Sequence, residues 1–380
     1  MIDPTLHQRN KAFDGLRGIL ACCVVLSHVA ATVYNPFVAG AAPSVVNYSL
    51  WHLGAPSVDA FFVLSGWVVA QSYERYRHLW PFYQARLRRL YPIGLIGALL
   101  GLGLARPLAS HLSSAALHHG FLVYLCAPLS SSDVVGALSL GLLAPYDANH
   151  LNPPLWSLAV EVWASVLMPL MVWAAKRWGW LSWPVSMMIS LFTSFFWQGT
   201  LFMPLFLLGA LLALNPFKVS KTAAPALLIF GLLVLFSRHI SGSNDPFYRW
   251  LTQIGAGAAL LSLSLTAPPF LSHRFVQWLG SRSYALYATH FPILVLFIFF
   301  FERPLGPQFA AALALPFTLV VADAVQRGVD WAQHPTRSFS FSGGRDVQSR
   351  PASSRSAFAS RHRQGQETPL QTPFQSKVNK

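Results

Sequence analysis

The chain has 380 residues, of which 54% are hydrophobic and only 11% are charged. Because soluble domains normally carry about 25% charged residues, this composition excludes an ordinary soluble protein and indicates an all-α polytopic membrane protein in a lipid bilayer. The net charge of +14 does not indicate nucleic-acid binding, since basic side chains collect at the cytoplasmic ends of membrane helices.

The cysteines and the N-terminal segment exclude two further classes of protein. Cys22, Cys23 and Cys126 are an odd number, and the first two lie in an apolar stretch. They match neither a disulfide framework nor a metal-ligand spacing, so we expect no metal. Residues 1–34 have a basic flank and an apolar run that is too long for a secretory signal. We therefore interpret them as an uncleaved first helix.

Ten apolar segments approach the length of a helix that spans a bilayer. They lie at roughly 13–34, 55–73, 90–106, 155–175, 181–197, 200–214, 223–239, 250–268, 280–301 and 306–326. The predicted fold is therefore a bundle of about ten transmembrane helices. Between the third and fourth segments, the apolar stretch 120–129 is too short to span comfortably, and we predict that it is re-entrant or interfacial.

Basic residues predict the orientation of this bundle. If the N-terminus is cytoplasmic, most of the Lys and Arg residues that flank the spans lie inside. Those outside are Arg106, Arg238, Arg249 and Arg303. This asymmetry predicts that both termini are cytoplasmic. We expect a membrane domain over 1–332 and a disordered basic cytoplasmic tail over 333–380, because the tail is rich in Ser, Gln and Arg.

Four predicted spans contain polar groups. They carry His28, then Asp59 with Ser65 deeper in the same span, then Glu161, then His290. An ionisable side chain inside a bilayer costs a few kcal/mol, so such residues are candidates for a functional site. The structural alternatives are a histidine or carboxylate that only hydrogen-bonds a neighbouring group, and a close helix contact at Ser65 and Gly66.

Depth along the helices connects three of these residues. With a rise of about 1.5 Å per residue, His28, Asp59 and Glu161 fall at a similar level in the outer half of the bilayer. An imidazole can take a proton, and a carboxylate beside it fixes its tautomer and stabilises its charged form. The hypothesis is that His28 is a base held by an acid.

Arginines mark the cytoplasmic mouth. Arg86 and Arg89 are three residues apart, share a helix face and could clamp a phosphate. The alternative is that they anchor the helix on the cytoplasmic side, and Arg88, on another face, is interpreted as such an anchor. Asp14 and Arg17 are also three residues apart and could pair at the same mouth.

Taken in order, these motifs resemble the acyltransferase 3 family of integral-membrane acyltransferases. The motifs are FDGLRG with SH (13–18 and 27–28), VDAFFVLSG (58–66), FY…RLRRLYP (82–92), LWSL…E (155–161) and LGS…SY…LY…H…P (279–292). The resemblance covers residues 13 to 330. The last motif of many members is matched only loosely by residues 328–337, so we assign that end no role.

The resemblance implies a function and a set of site residues. An acyl-CoA, with acetyl-CoA as the expected donor, would bind from the cytoplasm with its phosphates on Arg86 and Arg89. Ser65 and His290 would belong to the same donor path, and the alternative role of Ser65 is to carry the acyl group transiently. The catalytic residues would be His28 as general base, Asp59 and Glu161. The acceptor would be a hydroxyl of a carbohydrate or similar molecule on the outer side of a bacterial inner membrane.

Two other classes of function remain open from the sequence. A transporter or flippase for a glycan or lipid-linked substrate would use the buried polar groups for binding alone. Such transporters commonly contain repeats with broken helices, and no internal repeat is visible in this chain. A structural membrane protein would leave the histidines and carboxylates inside the spans without a role.

Overall fold

The computed structural model describes residues 11–33, 45–112, 122–144, 150–215, 219–241 and 246–333. Within these ranges all regular structure is helical, which confirms the all-α prediction for this part of the chain. The predicted re-entrant stretch, 120–129, is described only from residue 122. The predicted tail lies outside the described ranges from residue 334 onward, so its disorder and the domain boundary stay predictions.

Fourteen helices are numbered here in chain order. They are α1 (Lys11–Val33), α2 (Val45–Trp51), α3 (Gly54–Tyr76), α4 (Leu79–Leu100), α5 (Arg106–Ala109), α6 (Leu122–Cys126), α7 (Ser131–Leu138), α8 (Leu155–Trp178), α9 (Ser182–Thr193), α10 (Met203–Leu214), α11 (Ala224–Ser241), α12 (Pro246–Thr266), α13 (Arg274–Leu305) and α14 (Pro307–Gln333). A π-helical turn, Gly101–Ala105, joins α4 to α5.

Within the described ranges, six segments are long and apolar enough to cross a membrane. They are Lys11–Ala31, Tyr48–Tyr76, Leu79–Ala109, Leu155–Thr193, Arg274–Leu305 and Pro307–Gln333. Three further apolar helices are shorter, at Gln198–Leu214, Ala224–Ser237 and Trp250–Thr266. Helices occupy the positions of all ten predicted spans, and the fourth and fifth of these form one segment. The count of ten spans and the cytoplasmic side of the termini stay predictions.

Helices α1 and α13 cross at glycines that leave no room for a side chain. A Cβ on Gly18 would come within 2.6 Å of the Gly280 nitrogen, and a Cβ on Gly280 would collide with the Asp14 carbonyl oxygen. Gly15 meets the Leu271 carbonyl in the same way. Gly18 and Gly280 therefore let the backbones of α1 and α13 touch, which is common where membrane helices pack, and Gly15 leaves room for the turn that precedes α13.

A second glycine contact joins α3 to α10. A Cβ on Gly66 would collide with the Phe206 carbonyl oxygen, and one on Gly209 would collide with the Val63 carbonyl oxygen. Ser65, beside this crossing, is 2% exposed. The contact fixes α3 against the interior of the bundle, since α10 is buried over most of its length.

Candidate active site

Two histidines from distant parts of the chain meet inside the bundle. His28 Nδ1 lies 2.7 Å from His290 Nε2, within hydrogen-bonding distance. The two rings are nearly parallel, with an interplanar angle of 15° and centroids 5.0 Å apart. His290 is 1% exposed. The Phe291 ring packs edge-on against His28 at 5.7 Å, which gives the pair an apolar wall.

The glycine crossing explains why these histidines meet. His28 follows Gly18 by ten residues on α1, and His290 follows Gly280 by ten residues on α13. Because the helices run in the same direction from the crossing, both histidines rise roughly 15 Å above it and reach the same level. The motif glycines and the histidine pair are thus parts of one arrangement.

Asn152 holds α4 against α13 close to the histidine pair. Its side-chain amide donates hydrogen bonds to the Gly97 carbonyl at 3.1 Å and to the Ala288 carbonyl at 2.8 Å. Asn152 is fully buried, and its Oδ1 has no hydrogen-bond partner in the described part of the chain. Ala288 precedes His290 by two residues, so this amide helps to fix the helix turn that carries His290.

A cavity of about 1100 Å³ lies at the N-terminal end of α1 and α13. It is lined by Phe13, Asp14, Arg17, Val68, Gln71, Ser72, Arg75, Tyr76, Ala85, Arg86, Arg88, Arg89, Ile93, Gly280, Ser281, Ser283, Tyr284, Gln326, Val329, Asp330 and Gln333. Five of these residues are arginines and two are aspartates, so the lining is strongly basic. Its volume is slightly above the range of about 300–1,000 Å³ that is usual for small-molecule sites.

Two of these arginines form buried ion pairs. Arg17 Nη1 lies 3.1 Å from Asp14 Oδ1, one helix turn earlier on α1, so the pair suggested by the sequence is present. Arg86 Nη2 lies 2.9 Å from Glu161 Oε1, and Arg86 Nε donates to Ser165 Oγ at 3.1 Å. Each held arginine keeps donors for a ligand, because a guanidinium carries five N–H groups.

The remaining arginines of the cavity are exposed to it. They are Arg75 at the end of α3, and Arg88 and Arg89, which follow Arg86 on α4. Arg88 thus belongs to the lining, beside the two arginines predicted for this role. Gln333 Nε2 donates to the Arg88 carbonyl at 2.7 Å, which holds the end of α14 against the mouth.

A second, small cavity, called the neck here, shares Tyr284 with the basic cavity. It is a space of about 10 Å³ lined by Val24, Val58, Phe61, Phe62, Ser157, Leu158, Glu161, Tyr284 and Tyr287. Such a space holds about one water molecule. Tyr284 lines both cavities, and the Tyr287 ring lies 5.9 Å from that of His290. The neck thus lies beside Tyr284 of the basic lining and beside Tyr287, whose ring contacts that of His290.

The two tyrosines of the neck are held by hydrogen bonds. Ser157 Oγ and Tyr287 Oη lie 2.7 Å apart, and Tyr284 Oη donates to the Leu90 carbonyl at 3.2 Å. These bonds tie α13 to α8 and to α4.

The predicted site residues separate into two groups in the structure. His28 pairs with His290, which the resemblance had placed on the donor path, and Glu161 pairs with Arg86. We predicted that Glu161 lies beside His28, but in the structure it pairs with Arg86. Depth along a helix does not fix which way a side chain points. Asp59 and Ser65 are buried on α3, and neither lines the two cavities described.

A third group of polar residues lies in the segment between α4 and α8, and the sequence had not singled it out. His150 Nδ1 lies 2.6 Å from Asp133 Oδ1. Ser130 caps α7, because its side chain accepts a hydrogen bond from the Asp133 backbone N–H while the Asp133 side chain accepts one from the Ser130 backbone N–H. Burial alone would raise the pKa of Asp133, but hydrogen bonds from Ser130 and His150 lower it below the usual value. Arg106 donates to the carbonyls of His150 and Ala127, which fastens this segment to α5.

Comparisons with known proteins rest on one match. A search of curated proteins and a search of solved structures find no significant match. A family model described as an acyltransferase domain matches residues 10–327. This range includes both histidines and every residue that lines the two cavities except Val329, Asp330 and Gln333 at the end of α14. The chain belongs to the acyltransferase 3 family, and its apolar helices carry the candidate site of a membrane acyltransferase.

Proposed function

We propose that the protein transfers an acyl group, acetyl in the simplest case, from cytoplasmic acyl-CoA to a hydroxyl on the outer side of a bacterial inner membrane. The acceptor is a carbohydrate or a similar molecule. The observation that carries this proposal is the pairing of a basic cavity with a buried histidine pair along the same two helices. The family match supports the transfer of an acyl group.

The basic cavity supports a donor with several phosphates. Arginine forks match phosphate oxygens, and several arginines lining one cleft attract a polyanion together. From Gly280, which lines the cavity, to His290 the helix rises roughly 15 Å. A suitable donor therefore has a polyanionic end and a reactive group on a long arm, which describes acyl-CoA with its pantetheine arm.

The small size of the neck favours a donor whose arm is a thin, flexible chain. With room for about one water, it must widen before an arm can pass toward His28. Its walls are mostly apolar, with Phe61, Tyr284 and Tyr287 supplying aromatic faces. We propose that the donor's arm separates these side chains on binding, and that the closed neck keeps protons and water from crossing in the absence of donor.

The histidine pair supports base-assisted acyl transfer. His28 takes the proton of the acceptor hydroxyl while the hydroxyl oxygen attacks the carbonyl carbon of the thioester. The carbon–sulfur bond then breaks, and the proton on His28 passes to the leaving sulfur, which departs as free CoA. General base assistance of this kind contributes about 10²–10⁴ in rate. We propose that Asp59 and Ser65 support the path from α3, and that Glu161 acts through Arg86.

The test uses purified protein in nanodiscs with radiolabelled acetyl-CoA and a panel of glycans. We expect release of CoA and transfer of label in the wild type, and loss of both in His28→Ala. The control is His78→Ala, an exposed histidine at the start of α4 that should leave transfer unchanged. Full transfer in His28→Ala would overturn the role of His28. Transport of a glycan without any CoA release would support the transporter class.

A further inference from the structure

We propose that His290 is a positioning residue that fixes the tautomer of His28 through a directed chain of hydrogen bonds. The chain runs from the Leu286 carbonyl through both nitrogens of His290 to His28 Nδ1. Its result is that Nε2 of His28 is the nitrogen with the lone pair. The catalytic consequence rests on the proposed function, whereas the tautomer itself does not.

The first link is forced by the chemistry of a carbonyl. His290 Nδ1 lies 3.1 Å from the Leu286 carbonyl oxygen, one turn earlier on α13. A carbonyl oxygen can only accept a hydrogen bond, so His290 Nδ1 must carry the proton. In a neutral imidazole the other nitrogen, Nε2, is then an acceptor.

The second link follows from the first. His28 Nδ1 and His290 Nε2 are 2.7 Å apart, and one proton must lie between them. Because His290 Nε2 is the acceptor, His28 Nδ1 is the donor, and the lone pair of a neutral His28 lies on Nε2. A charged His290 would reverse this assignment, but a cation at a site that is 1% exposed inside the bundle is costly.

The arrangement performs the task of a carboxylate without placing a charge in the membrane. In serine hydrolases, a buried aspartate holds the catalytic histidine in the required tautomer. Here a neutral imidazole accepts the same Nδ1–H bond, and the resting pair has no net charge. When His28 takes a proton, it keeps its bond to His290, and the carbonyl dipole of Leu286 stabilises the added charge through the chain.

The direct test is nitrogen NMR of protein labelled with ¹⁵N-histidine in nanodiscs. The 13 histidines are separated by comparison with His28→Ala and His290→Leu. We expect His28 protonated on Nδ1 in the wild type, and a shift toward the Nε2-protonated form in His290→Leu. His290→Gln should preserve the wild-type tautomer, because its side-chain oxygen can occupy the position of Nε2.

Thr289→Val is the matched control for this experiment. Thr289 Oγ1 donates to the Ala285 carbonyl, so this variant removes the same kind of bond one residue away. It should leave the His28 tautomer unchanged. Protonation of His28 on Nε2 in the wild type, or an unchanged tautomer in His290→Leu, would overturn the proposal. Both readouts are independent of catalysis, so absence of acyl transfer would contradict only the proposed function.

The kinetic consequence separates positioning from folding. We expect His290→Leu to lower kcat by about 10²–10⁴, the range for a misplaced or lost general base, with little change in KM for acyl-CoA. His290→Gln should recover most of kcat. If Leu and Gln variants lose the same activity while their tautomers differ, the tautomer does not limit the rate and the positioning role is wrong.

Discussion

Glu161 Oε1 accepts a hydrogen bond from Arg86 Nη2 at 2.9 Å, and each of the two side chains is 8% exposed. This buried pair lies between the basic cavity, which Arg86 lines, and the neck, which Glu161 lines. A guanidinium held in this way cannot turn away from the cavity. The pair therefore fixes one cation at the boundary between the basic cavity and the neck.

Loss of Glu161 should affect both stability and donor use. Glu161→Ala leaves the Arg86 charge buried and unpaired, which costs about 3–5 kcal/mol of unfolding free energy. We expect a lower melting temperature and a higher KM for acyl-CoA, with a smaller change in KM for the acceptor. Glu74→Ala is the control, because its pair with Lys176 is largely exposed and contributes about 0–1 kcal/mol. Equal melting temperatures of the two variants would contradict this account.

Arg89 should contribute to donor binding through its charge. Arg89→Gln should raise KM for acyl-CoA about tenfold or more, since a hydrogen bond to a charged group contributes about 1.5–3 kcal/mol. Added salt should weaken wild-type binding more than binding to the variant. Arg274→Gln, at an exposed arginine outside the cavity, is the matched control. If both variants bind acyl-CoA equally well, Arg89 only anchors the helix.

The crossing of α1 and α13 should not tolerate a methyl group. Gly280→Ala forces a Cβ onto the Asp14 carbonyl, and overpacking of this kind costs about 1–3 kcal/mol. Gly328→Ala on α14 meets nothing within 4 Å, so its higher helix propensity should stabilise by up to about 1 kcal/mol. Thermal unfolding in detergent measures both. A Gly280→Ala protein as stable as the Gly328→Ala protein would show that the helices separate at no cost.

Asn152 should be more sensitive to a charge than to truncation. Asn152→Ala loses two hydrogen bonds that contribute about 0.5–1.5 kcal/mol each. Asn152→Asp should be worse, because it sets a carboxylate against the Gly97 and Ala288 carbonyls that the amide now satisfies. Melting temperatures should therefore fall in the order wild type, Ala, Asp. The reverse order of the two variants would mean that the amide donates to neither carbonyl.

The segment around α7 should loosen in acid. Because the folded-state pKa of Asp133 is lowered, its stabilisation is complete above the unfolded value of about 3.9. It is lost as pH falls through the lower folded-state pKa. Hydrogen exchange of residues 130–138 should accelerate over that range. Asp133→Asn should exchange faster at neutral pH and show little further change in acid, and a wild-type pH response in this variant would exclude Asp133 as the cause.

The apolar spans were the most predictable part of the fold. Hydrocarbon excludes unsatisfied backbone groups, so length and hydropathy alone locate membrane helices. Helices occupy every predicted position, although segments such as Gln198–Leu214 and Ala224–Ser237 are shorter than the six that meet the length for crossing. The family was also identified from five motifs in order, and the match over residues 10–327 confirms it.

The partners inside the site could not be predicted in the same way. His28 and His290 are separated by 262 residues in the chain, and their contact depends on how α1 and α13 cross. Glu161 was expected at the level of His28, but it pairs with Arg86 at the basic cavity. Polar contacts between helices depend on how each helix is rotated about its axis relative to its neighbours. The hydropathy of a single sequence does not predict that rotation.

The spacing from Gly18 to His28 equals the spacing from Gly280 to His290, so both histidines lie at the same distance from the helix crossing. One inserted residue on either helix would turn its histidine by roughly 100° about the axis and raise it by about 1.5 Å. A change in the length of one of these helix segments alone would separate the two histidines. A change in length that keeps the two histidines in contact would therefore have to lengthen or shorten both helices together, by the same number of residues.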